Sequence, residues 1–306
     1  MREVQYPELD SFKQLLQNLG EDFDLVQGFG GNASIKTHTH MLVKASGKRL
    51  GSVTDPSYFH EVTHKQGKPV DEILGQLTRP SIEVFLHALL KDTFVLHVHS
   101  TRAVAVSMLA NDDPSFEEKL DTIGASFLRY LRPGAELSDG IGLALESKES
   151  QTFLLGNHGT LFSAQSVESL QQKLGEFEVW SGDYLRANNL GEHSSLGSDS
   201  GPHFSPGEHA VWHAKHNWRI SPDHCVFLGI EPDEDSLAAL AAATSPQDLL
   251  TLEAPGNDRP SARSEQLAWF FSVVSLLPRR KLTTLEVEEA RYLCAWEAEK
   301  HRVKNE

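Results

Sequence analysis

Apolar residues recur at two spacings along the first part of the chain. Phe12, Leu15, Leu16 and Leu19 fall on one helical face between Glu8 and Gly20, where the glycine is a stop signal. Runs of strand formers follow at Ser34-Ile35-Lys36, at Met41-Leu42-Val43-Lys44-Ala45 and at Phe94-Val95-Leu96-His97-Val98. The pattern predicts a helix over residues 80–91 with Pro80 near its first turn, and another around 100–110. A turn is expected at Pro133-Gly134 and a strand over 151–155. A long helix over about 166–187 carries Leu170, Leu174, Phe177 and Trp180 along one face, a stripe suited to a core or a subunit interface.

The pattern then breaks. Asn188 to Gly207 is rich in Gly, Ser, Asn and Pro, which predicts a linker or long loop over 191–207 between a unit at 1–190 and a second at 208–306. In the second unit Ser221-Pro222-Asp223-His224 introduces an expected short strand, Cys225-Val226-Phe227-Leu228-Gly229. Residues 234–243 and 284–304 read as helices, so this unit is expected to be a small α/β extension.

Composition narrows the class. At 306 residues, 39% hydrophobic and 23% charged, the chain reads as a globular protein with a sizeable core. A net charge of −15 argues against non-specific nucleic-acid binding and against docking on anionic membranes. Cys225 and Cys294 are too few for a disulfide framework. Met1 to Gln5 carries no apolar signal core, and no run approaches the ~20 apolar residues that span a bilayer. The expected location is the cytoplasm.

Histidines carry the candidate chemistry. On a strand, His97 and His99 point to the same face, so two imidazoles converge as a divalent-metal site begins to do. A third, His158, follows the apolar run 152–155, and Glu83 supplies a carboxylate upstream. Other histidines read as structural. His38 and His40 sit in a polar turn, and His87 lies one helical turn after Glu83. His209, His213 and His216 fall on one face of a possible helix, read as exposed or core-lining rather than as a second metal site. Asp223, next to His224, reads first as a capping residue, with reach into an active site as the alternative, and Tyr130 as a packed aromatic ahead of a substrate contact. The glycine-rich loop Gly28–Ser34 permits close backbone approach to a ligand.

Six pieces stand in the order of one family. They are Gly31-Asn32-Ala33-Ser34, Ala45-Ser46-Gly47, Pro80-Ser81-Ile82-Glu83 with His87, His97-x-His99, Tyr130-x-x-Pro133-Gly134, and Gly156-Asn157-His158-Gly159. Over residues 8–187 the chain resembles the class II aldolase/adducin family, which includes L-fuculose-phosphate and L-rhamnulose-phosphate aldolases. Residues 221–224 and 290–300 resemble the region after the aldolase module in long members fused to a dehydrogenase. No dehydrogenase part is expected here, and with no glycine-rich dinucleotide fingerprint no nicotinamide cofactor is expected.

The resemblance implies an α/β fold in three α/β/α layers around a mixed, largely antiparallel sheet, assembled as a homo-oligomer, with a tetramer one option. It implies Zn²⁺ on His97, His99 and His158, with Mn²⁺, Co²⁺ or Fe²⁺ as alternatives, and Glu83 as the acid/base. Asn32, Ser46, Gly47 and Ser81 match positions that seat a substrate phosphate. One departure is Ile82, where simple aldolases often carry a second serine, so a non-phosphorylated sugar stays open. Lys44, Lys48 and Arg79 could supply compensating charge. The implied reaction is retro-aldol cleavage of a sugar or sugar phosphate. A 4-epimerase or dehydratase on the same site, or a non-enzymatic scaffold of the same fold, are the alternatives.

Overall fold

The computed structural model of the chain describes residues 5–65, 68–72, 79–188, 190, 204–251 and 260–296. Most of the expected 191–207 linker, and the end of the helix expected over 284–304, lie outside them. Eight strands form one sheet: β1 Asn32–Lys36, β2 His40–Lys44, β3 Phe59–Lys65, β4 Lys68–Glu72, β5 Phe94–Val98, β6 Ala125–Leu128, β7 Thr152–Leu155 and β8 Gly159–Ala164. Their order is β4-β3-β2-β1-β5-β8-β7-β6, and only the β6–β7 pairing is parallel. The expected mixed, largely antiparallel sheet is therefore present.

Both faces of the sheet are covered, which explains why its central strands β1, β5, β7 and β8 are buried at every position rather than at alternate ones. The helices of the first part are α1 Leu9–Gly20, α2 Val84–Leu89, α3 Thr101–Leu109, α4 Phe116–Asp121, α5 Ala135–Ser147 and α6 Val167–Ala187. Phe94, Leu96 and Val98 of β5 join Phe12 and Leu16 of α1, Val104 of α3 and Leu170 of α6 in one cluster. Val95, on the opposite side, packs with Leu86 of α2, Leu137 and Ile141 of α5, and Phe153 and Leu161. With period 2, His97 emerges on the Val95 side. The helix expected over 80–91 is shorter, because Pro80 pairs with Ala45 as an isolated bridge and Ser81–Glu83 form the turn before α2.

The second part is helical among its described residues: α7 Pro206–His216, α8 Pro222–Leu228, α9 Glu234–Ala242, α10 Pro246–Leu250, α11 Ala262–Ser275 and α12 Val287–Ala295. This corrects the strand expected at 225–229. Ser221 caps α8 by accepting from the His224 N–H, Pro222 takes the first helical position, and Gly229 ends the helix at φ 88°. The apolar run Cys225–Leu228 reflects a buried helix, for which continuous hydrophobicity looks the same as for a buried strand. Trp218, together with Trp269, Phe270 and Val273 of α11, belongs to the same hydrophobic cluster as α1, α3 and β5. No helix among the described residues is long and apolar enough to cross a membrane.

Candidate active site

Three elements deliver the histidines. His97 stands on β5 opposite Leu161 of β8, and its Nδ1 lies 2.8 Å from the Thr160 carbonyl. That carbonyl can only accept, so Nδ1 carries the hydrogen and Nε2 presents a lone pair. His99 follows the strand, with its backbone N–H donating to Leu25 O at 2.9 Å. Its Nδ1 lies 3.4 Å from Asp223 Oδ2. His158 sits in the β7–β8 turn, where Asn157 adopts a left-handed φ of 53°. This turn presses so closely on the end of β5 that a Cβ on Gly159 would stand 2.2 Å from Val98 O. Asn157 also donates from Nδ2 to Ile220 O and Thr283 O, each at 3.1 Å, which ties the turn to the helical extension.

The three rings converge. The centroids of His97 and His99 are 4.8 Å apart, those of His97 and His158 4.7 Å, and those of His99 and His158 5.3 Å. One candidate ligand atom from each lies within 4.8 Å of the others, and all three side chains are buried. Nε2 of His97 and Nε2 of His99 are 3.1 Å apart. With the hydrogen of each ring on Nδ1, two lone pairs would face each other, an arrangement that a cation stabilises.

Glu83 completes the group. It occupies the N-cap position of α2, and its Oε1 lies 3.8 Å from Nε2 of both His97 and His158. That oxygen is buried without a hydrogen-bond partner, while Oε2 accepts from Asn32 Nδ2 at 3.4 Å. A buried carboxylate oxygen left unsatisfied is costly unless a ligand meets it. The residues present thus fit a divalent ion: three imidazole nitrogens and one carboxylate oxygen that makes no hydrogen bond. Behind them α2 is pinned to β1. Lys36 Nζ donates to His87 O at 2.7 Å and to Leu90 O, and His87 Nδ1 lies 2.8 Å from Ser34 Oγ. Burial lowers Lys36 to about 7, and burial also holds His87 well below its usual value. His87 is fully buried behind the group of three and is not part of it.

Ser46, Gly47 and Ser81 line the same pocket as Glu83, His99 and His158. Asn32 is only 1% exposed and reaches that pocket through its bonds to Ser81 Oγ and Glu83. Ile82 lines it too, as does Lys44, whose Nζ donates to Lys48 O at 2.6 Å and to Phe29 O at 3.3 Å. Lys48 instead pairs with Asp55 at 2.6 Å, and Arg79 is exposed. A separate cavity of about 680 Å³, lined by Arg102, Glu178 and Phe271 among others, shares no residue with this pocket.

Asp223 and Pro222 reach the pocket from α8, a contact that the capping expectation passed over. Glu265 of α11 accepts from Gly28 N and, at 2.6 Å, from Arg49, so the extension also braces the glycine-rich loop. The Ser221-Pro222 start of α8 gives Asp223 a rigid support, and reach into the site is the weaker of its two sequence readings. Tyr130 donates to Glu289 at 2.9 Å, in keeping with a packed role. His209 and His213 are buried and His216 stacks on Trp212 at 4.3 Å, so His97, His99 and His158 form the one metal-type group found among the described residues.

Known proteins carry the same framework. A 5-methylthioribulose-1-phosphate/5-deoxyribulose-1-phosphate aldolase from Escherichia coli O45:K1 (strain S88 / ExPEC) is 27% identical over 175 residues, 54% of this chain and 78% of that protein. A Bacillus subtilis (strain 168) protein named "Uncharacterized oxidoreductase YuxG" is 26% identical over 183 residues, 51% of this chain. The matched region spans only 26% of that protein's length. Among solved structures, the N-terminal class II aldolase domain of a conserved protein from Thermoplasma acidophilum superposes with a TM-score of 0.50 at 23% identity, covering 61% of this chain and 98% of that one. The family described as Class II Aldolase and Adducin N-terminal domain matches residues 14–181, more than half of the sequence, and the chain belongs to it.

Proposed function

We propose that the protein is a divalent-metal-dependent aldehyde-lyase, with zinc as the first candidate, that reversibly cleaves a ketose 1-phosphate or related sugar by retro-aldol chemistry. The observation that carries this reading is the unpartnered Glu83 Oε1, 3.8 Å from Nε2 of both His97 and His158. His97, His99 and His158 would hold the ion. When bound, it supplies Lewis acidity toward a hydroxyl–carbonyl pair of the sugar. Cleaving the C3–C4 bond takes the proton from the C4 hydroxyl and later returns one to C3, and this reading gives that transfer to Glu83.

Ser46, Gly47 and Ser81 hold the far end of the substrate, with Lys44 as the cation for a phosphate. Gly47 has a left-handed φ of 75°, a conformation that favours glycine at this pocket position. The aldolase relative from E. coli is named for ketose 1-phosphates, which supports this substrate class. In the same reading, residues 1–190 are the catalytic unit and 208–306 an extension braced against it, in a cytoplasmic homo-oligomer. Phe85 of α2 and Leu143 of α5, 50% and 67% exposed, are apolar side chains that an oligomer would cover.

The test is Glu83→Gln. Turnover should fall by about 10²–10⁴-fold with zinc still bound. Undiminished turnover would show that the acid/base is another group.

A further inference from the structure

We propose that Asp223, carried by the helical extension, is a positioning residue that orients His99 toward the divalent ion. The inference rests on the metal reading above. Asp223 is 3% exposed and lies outside the family-matched residues 14–181. Its Oδ2 is 3.4 Å from His99 Nδ1, while His99 Nε2 turns the other way, toward His97. A carboxylate at Nδ1 fixes the hydrogen there, frees the Nε2 lone pair and raises the basicity of the ring as a ligand. His97 receives the equivalent contact from a backbone carbonyl within the aldolase unit. His99 receives it from 124 residues further along the chain.

Two observations separate this role from the helix-capping one. The cap bond of α8 is made by Ser221, not by Asp223. Gly30 is also shaped around the pair: a Cβ there would stand 2.7 Å from His99 Nδ1, 2.9 Å from Gln27 O and 3.1 Å from Asp223 Oδ2. Gly30 does not have a left-handed φ, so it is glycine for space rather than for conformation. The base of α8 is held in place as well. Ile220 O accepts from Asn157, next to His158, and Phe227 packs on Phe29 of the glycine-rich loop with centroids 6.4 Å apart. The extension thus supplies a working part of the metal centre.

The test compares full-length wild type, Asp223→Asn and Gly30→Ala. Zinc Kd is read by competition with a chromophoric chelator, the visible spectrum is taken with Co²⁺, and melting is followed in EDTA. Asp223→Asn keeps the side-chain shape, so its metal-free melting should match wild type. Its zinc Kd should rise about 10–100-fold and its cobalt bands should shift. Gly30→Ala, which drives the two groups apart without altering either, should weaken zinc in the same direction. Wild-type affinity in Asp223→Asn would overturn the proposal. So would weaker affinity with an unchanged cobalt spectrum, since general loosening of α8 lowers affinity without reorienting a ligand. If wild type itself takes up no zinc, the metal reading fails, and this inference with it.

Discussion

Nε2 of His97 and Nε2 of His99 face each other at 3.1 Å, each ring with its Nδ1 turned to an oxygen. A cation bound between such nitrogens uses both lone pairs at once. Zinc is therefore expected to stabilise the folded chain. At 100 times its Kd a single bound ion adds about 2.7 kcal/mol, reversed by EDTA. Calorimetric melting with and without zinc checks this, and His97→Ala should abolish the shift.

Lys44 lines the pocket together with Glu83 and Asp223, and Ile82, which also lines it, offers no side-chain hydrogen bond. If the substrate carries a phosphate, Lys44→Met should raise KM about 10–100-fold, with a smaller change in kcat. A non-phosphorylated analogue should be nearly indifferent to the substitution. Steady-state kinetics on the two substrates separate these cases.

Gly159 allows the His158 turn to close on β5. Its φ is +149°, and a Cβ would overlap Val98 O at 2.2 Å. Gly159→Ala should cost about 1–3 kcal/mol in urea unfolding and weaken zinc binding, because the turn that carries His158 must back away.

Acid should unfold the extension through its buried histidines. Burial lowers His213 and His224 to about 3, and His224 lies between Trp218 and Phe270 with neither ring nitrogen hydrogen-bonded. The unfolded chain binds these protons near 6.5 and the folded chain does not. Stability is thus full above about pH 6.5 and lost as pH falls toward 3, at up to about 1.4 kcal/mol per pH unit for each group. His224→Phe should reduce the loss between pH 7 and 5 by about 2 kcal/mol, measured by denaturant titration at both pH values.

The site was legible where chemistry follows strand periodicity. His97 and His99 are two apart next to a run of strand formers, and the fold puts both in one cluster, although His99 lies just past the end of β5. Glu83 and His158 join them as the family pattern implies. Legibility failed where local pattern is ambiguous or the partner is remote. Cys225–Leu228 is apolar throughout, which fits a buried strand and the buried helix α8 equally well. The polar-rich β3, Phe59–Lys65, and the fully buried β8, Gly159–Ala164, drew no strand reading, because neither shows clean alternation. Nothing near Asp223 announces that it meets His99, since packing of α8 on the loop at Gly30 creates that contact.

The most direct measurement is NMR of a panel of ketoses and ketose 1-phosphates incubated with the zinc-loaded protein, with and without EDTA. Release of dihydroxyacetone phosphate or dihydroxyacetone, together with an aldehyde, lost on adding EDTA, is the expected result. Interconversion of isomers without cleavage, or an unchanged panel from protein shown to hold its metal, would contradict the lyase assignment.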